Sequence, residues 1–247
     1  MKTKTPMLGN APCAMKSGSL WMEHLKKITC TTATTAVRVW KPVTHRKEKI
    51  IMKVTLLTKP KHLADMVNFA TTATLTCHAN TDKKVDSKNL LTRIIKAGHE
   101  SILEHINLTY SVKGISRALL QELSRHRHIS LSVESTRHTL RKQLEDEEWV
   151  ESLADKLLLY QRDLLYYSAN LAKISDYGND ELKYYLPEFW PTNLILTSNI
   201  RELRHILKLR TAPAALREFQ LLAHALFLAI PEKYRYLLED CVYKEDN

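Results

Sequence analysis

A chain of 247 residues, 44% hydrophobic, is long enough to bury a full core as one domain. Its formal charge of +10 is lopsided: residues 1–51 hold ten of the 37 Lys/Arg and two of the 27 Asp/Glu, leaving the remainder at only +2. That balance, the lack of a membrane-length apolar run, and the absence of GxGxxG or Walker loops among five glycines argue against general nucleic-acid binding by the body, membrane insertion, and Rossmann or P-loop nucleotide binding.

The four cysteines, Cys13, Cys30, Cys77 and Cys241, are scattered and form no CxxC pair. This points to a reduced, cytoplasmic protein without a disulfide or zinc framework. Residues 1–51 have little periodicity, and CTTATTA is close to low complexity. The expectation there is a basic, disordered extension ahead of a start at Met52, with a transit peptide as the weaker alternative.

From Met52 the pattern is globular. Lys53–Thr58 reads as a strand, and Pro60 opens a helix to about Phe69. Ser87 is the expected cap of a helix with Leu90, Leu91, Ile94 and Ile95 on its apolar stripe and Gly98 as its stop. Asn107–Lys113 alternates as a half-buried strand, and a helix with Ile115, Ala118, Leu119 and Leu123 on its buried stripe follows at once. A long helix is expected over about 145–174, a short one over 180–185, and a strand at Leu194–Leu196. Asn199 caps a helix to about Leu209, with Glu202 in the capping-box place. Pro213 begins another through Ile230, and Pro231 starts the last. The sum is an α+β fold, a small mostly antiparallel sheet surrounded by helices, as one domain over residues 52–247.

The densest chemistry lies in Ser116–Arg137, SRALLQELSRHRHISLSVESTR. Arg125 and Arg127 point roughly 200° apart on a regular helix, so they share a ligand only if the helix ends near them. Ser130, Ser132 and Ser135 suggest the loop that follows. Guanidinium forks beside hydroxyls and free N–H groups suit an anionic, planar ligand such as a nucleotide. Glu122, one turn before Arg125, is explained by a helix ion pair alone. In HESILEH the two histidines are six residues apart, which rules out the HExxH zinc pattern, and Ser101-x-x-Glu104 also reads as a capping box. Further on, Arg201 and His205 share a helix face, while Arg210 lies about 13 Å further along the axis, roughly half a turn round. Two ligands, or one long one, fit that spacing.

Three blocks, Gly98-His99-x-Ser101-x-x-Glu104-His105, Arg125-His126-Arg127 with Ser130, Ser135 and Arg137, and Asn199-x-Arg201 with His205 and Arg210, occur in this order. From about Met52 to the C-terminus the chain resembles the flavin-dependent thymidylate synthases. The resemblance implies that His99, Ser101, Glu104, Arg125, His126, Arg127, Asn199, Arg201 and His205 contact FAD. It implies that Glu122, Ser135, Arg137, Lys183 and Arg210 hold dUMP, with Ser135 and Arg210 in the catalytic roles. NADPH would reduce the flavin, methylenetetrahydrofolate would supply the carbon, and dUMP would become dTMP. A homotetramer with ligands where subunits meet is implied, with no enzyme thiolate, metal, nucleic acid or membrane involved. The sequence departs from the usual pattern at Glu122 (Gln), Ser132 (Asn), His138 (Tyr), Lys183 (Arg) and Leu216 (Gln). The competing expectations are a helical nucleic-acid-binding module using RHRH and the basic tail, and a nucleotide-binding flavoprotein without methyl transfer.

Overall fold

The computed structural model describes residues 52–243, so the expected extension over residues 1–51 lies outside the described residues. Four antiparallel strands form one sheet: β1 (Lys53–Leu56), β2 (Asn107–Ser116), β3 (Ile129–Val133) and β4 (Pro191–Asn199), in the order β1-β2-β4-β3. The alternation in β2 does what its period dictates. Leu108, Tyr110, Val112 and Ile115 are buried on one face, while Thr109 and Ser111 sit on the other. Between Val112 and Ile115 the register shifts at a bulge. Gly114 supplies the positive φ of 72° needed there, and its N–H donates to Asn193 Oδ1 at 3.0 Å.

One sheet face is covered by helices α1 (Pro60–Cys77), α2 (Ser87–Lys96), α3 (Arg117–Leu123), α8 (Ile200–Arg210) and α9 (Arg217–Leu228), which share its core. Helix α1 runs eight residues past the expected end. Thr71, Thr72, Thr74 and Thr76 return their hydroxyls to carbonyls four residues back, so these polar groups are satisfied within the helix itself. Asp86, not Ser87, caps α2 by accepting the Asn89 N–H at 2.6 Å. Ser101–His105 is a 3₁₀ turn with no side-chain cap bond, so the expected capping box there does not form. Helix α9 begins at Arg217, later than Pro213 suggests, and the C-terminal segment is two 3₁₀ turns, Glu232–Leu237 and Glu239–Cys241, not an α-helix.

A second core lies between β3 and β4 in sequence. Helices α4 (Thr136–Glu145), α5 (Glu147–Ala154), α6 (Leu159–Ile174) and α7 (Asn179–Leu182) pack around Leu140, Leu144, Val150, Leu153, Leu165, Ala172 and Trp190. The single helix expected over 145–174 is therefore two. Asp146 caps α5 by accepting the Trp149 N–H, and Gln161 Oε1 takes the backbone N–H of Leu158 where α6 restarts. Among the described residues no helix is long and apolar enough to cross a membrane.

Arg204 of α8 is almost completely buried and ties three segments together. Its guanidinium donates to Glu100 Oε1 at 2.9 Å, to the Leu237 carbonyl at 2.6 Å, and to both oxygens of Asp240 at 2.7 and 2.6 Å. We expect Arg204→Ala to lower unfolding free energy by about 2–4 kcal/mol, read as a fall in urea midpoint at unchanged slope. The full cost of stranding a buried charge is not reached because Asp240 is half exposed and regains water.

Candidate active site

Strand register decides which polar residues meet. Asn107 at the start of β2 pairs with Asn199 at the end of β4, and Ile129 at the start of β3 pairs with Ser198. The 98–105 segment enters β2, the Arg125–His128 turn enters β3, and helix α8 leaves β4, so all three polar blocks converge at one end of the sheet. Ile200 N–H donates to the Ile106 carbonyl at 2.9 Å and locks the corner.

Helix α3 ends at Leu123, as sharing a ligand between Arg125 and Arg127 required. In the turn that follows, the two arginines stay exposed while His126 is buried. Asn199 Oδ1 accepts the Glu202 N–H at 2.8 Å and starts α8. The Glu202 carboxylate does not reach back to the cap; it is buried and meets His126 Nδ1 at 3.1 Å.

Two clefts adjoin here. The first, about 560 Å³, is lined by Glu100, Glu104, His128, Asn199, Arg201, Glu202, His205 and Lys208. The second, about 580 Å³, is lined by Arg125, His126, Arg127, His128, Glu202, His205, Leu209, Arg210, Ala214 and Ala215. They share His128, Glu202 and His205. Arg201 thus faces one cleft and Arg210 the other, which is the separation that their nine-residue spacing on α8 imposes.

Each arginine is paired. Arg201 meets Glu104 in a short contact. Arg210 Nε–H donates to His126 Nε2 at 3.2 Å, its Nη1 lies 3.4 Å from Glu122 Oε2, and its guanidinium sits 4.5 Å over the Phe219 ring. Glu122 also meets Arg125 at 3.4 Å, so it is more than the helix ion pair expected: it bridges two arginines from different elements. Burial pushes His126 below the usual histidine pKa; the Glu202 contact opposes this and the Arg210 charge adds to it. His126, Glu202 and His205 place one ligand atom each within 4.8 Å of one another. Both His126 nitrogens are already engaged, one by a cation, which makes this a hydrogen-bonded relay and a poor metal site.

Other expected residues lie elsewhere. His99 and Ser101 are exposed and line neither cleft. Ser130 and Ser132 are not in a loop but on edge strand β3, exposed opposite the inward Ile129 and Leu131. The alternation ISLSV is the strand signal in this stretch. Five strand residues span about 17 Å, so Ser135 and Arg137 sit at the far end of β3 from Arg127. There Arg137 grips both oxygens of Asp180 at 3.0–3.2 Å, and Lys183 Nζ meets Asp180 Oδ1 at 2.7 Å. Those hydrogen bonds hold the Asp180 carboxyl down at about 2. Ser135 is exposed at the cap position of α4 without making a side-chain cap bond. Glu100, His128, Glu202 and Lys208 are polar lining residues whose part in the site the sequence did not assign. Neither the exposed Cys77 nor the buried Cys241 lines a cleft.

The family model described as "Thymidylate synthase complementing protein" matches residues 44–234. A flavin-dependent thymidylate synthase of Campylobacter jejuni is 38% identical over 198 residues, covering 70% of this chain and 91% of the relative. That of Helicobacter pylori is 40% identical over 159 residues, covering 58% and 76%. A crystal structure of thymidylate synthase X from Helicobacter pylori, with FAD and dUMP, superposes with a TM-score of 0.66 at 33% identity, covering 78% of this chain and all of that one. On this match over most of its length, the chain belongs to the flavin-dependent thymidylate synthase family.

Proposed function

We propose that the chain binds FAD and dUMP and makes dTMP, with methylenetetrahydrofolate as carbon donor and NADPH as reductant. The single observation that carries this is the pair of joined clefts at the β2–β4 corner, lined from all three polar blocks. Asn199, Arg201, Arg125, Arg127 and His205 offer N–H donors along both, a set that suits a long anionic cofactor. FAD, when bound, supplies the redox chemistry.

The chain's residues bind, orient and polarise. Arg210, fixed by His126, Glu122 and Phe219, faces the uracil ring and stabilises the negative charge that develops on it. Ser135, Arg137 and Lys183 take the dUMP phosphate. The length of β3 puts them beyond the reach of one nucleoside monophosphate lying against Arg210 of the same chain. They therefore serve a site shared between subunits, as do the exposed His99 and Ser101, and a homotetramer satisfies this. Four scattered cysteines without a CxxC pair suit work in a reducing, cytoplasmic setting. Family membership favours it over a nucleic-acid module, and so does the use of the RHR arginines to line a cleft backed by a buried acid.

Purified protein should be yellow and hold FAD; tritium release from 5-labelled dUMP should require both NADPH and methylenetetrahydrofolate, and a colourless protein would refute the proposal. Arg210→Ala should lose turnover by about a hundredfold or more while retaining flavin. Arg137→Ala should weaken dUMP binding by about 1.5–3 kcal/mol, measured by calorimetry, with the melting temperature little changed. Removing residues 1–43, ahead of the family match, should leave turnover intact.

A further inference from the structure

We propose that Glu202 is a positioning residue: its carboxylate fixes the tautomer of His126 whose Nε2 lone pair holds Arg210 in place. The inference rests on the reading that Arg210 meets the uracil ring. Arginine nitrogens only donate, so Arg210 Nε–H at 3.2 Å requires Nε2 of His126 to carry a lone pair. The ring is neutral in that state and its one proton sits on Nδ1, facing Glu202 Oε1 at 3.1 Å. The two contacts are mutually dependent, because which ring nitrogen carries the proton is set by the partner of the other.

The surroundings leave Glu202 no other task of this kind. It is buried, among the described residues it accepts from no side chain but His126, and it lies between the two clefts. The groups around His126 are Arg210 and His205 on α8, Phe219 on α9 and, through Arg210, Glu122 on α3. Phe219 packs edge-on to His126 and face-on to Arg210, so ring and guanidinium are held against the same wall. Losing the acceptor at Nδ1 releases the proton to Nε2. There it opposes the Arg210 N–H, donor against donor, and the guanidinium moves away.

The test uses the flavin-loaded protein and three variants: Glu202→Ala, Glu202→Gln, and Glu202→Ala combined with Arg210→Ala. Nitrogen-15 spectra of labelled histidine should place the His126 proton on Nδ1 in the parent and move it in Glu202→Ala. Glu202→Gln keeps an acceptor oxygen and should restore the parent spectrum. In Glu202→Ala, kcat should fall about 10- to 100-fold with flavin content retained, and Glu202→Gln should recover most of it. The double variant should be no slower than Arg210→Ala alone, as two residues acting through one guanidinium require. An unmoved proton in Glu202→Ala overturns the proposal, and so does a Glu202→Gln variant as impaired as the alanine one. A parent that fails to turn over dUMP sinks the functional reading instead; the spectra then still judge Glu202.

Discussion

The antiparallel pairing of β2 with β4 is the constraint on which the site depends. Three stretches far apart in the chain meet only because Asn107 faces Asn199 and Ile129 faces Ser198. A slip of one residue would turn Leu108, Tyr110, Leu194 and Leu196 out of the core, so the hydrophobic pattern that holds the sheet together also fixes the polar corner. Helix α8 then carries the consequence outward. One face buries Leu203, Ile206 and Leu207 against the sheet, and the rest distributes Arg201, His205 and Arg210 between two clefts.

Several cations at and around the candidate site are paired with carboxylates. Arg201 rests on Glu104, Arg210 on Glu122, and Arg137 and Lys183 on Asp180. Most of these pairs are substantially exposed, and such pairs contribute only about 0–1 kcal/mol. They orient these side chains at little cost, so such pairs exchange readily for another anion. Glu122, which departs from the usual Gln, fits this scheme, since its charge is met by two guanidiniums.

Leu216, another departure, is half exposed at the start of α9 and makes no cap bond. The neighbouring acid does more. Glu218 accepts from Ser116 N–H at 2.8 Å and from its hydroxyl at 2.5 Å, while Ser116 Oγ accepts the Leu119 N–H that starts α3. Helix α9 is thereby tied to the helix that leads into Arg125–His128. The same α9 supplies Phe219 to His126 and Arg210, so one helix braces the site from two directions.

The sequence alone determined most of what is local. The period-2 pattern marked β2, the Asn199 cap marked α8, and the nine-residue offset between Arg201 and Arg210 already called for two ligands or one long one. It determined the family as well, because motif residues keep their spacing whatever surrounds them. Tertiary structure decided what depends on contacts between distant segments. Burial pulled the Glu202 carboxylate away from its cap towards His126, and the pairing of ISLSV with β4 turned an apparent serine loop into an edge strand. That strand's length then separated Ser135 and Arg137 from Arg127. Local propensity is blind to such choices, since a carboxylate or a short alternating stretch has several acceptable partners nearby, and only the assembled core determines which one it meets.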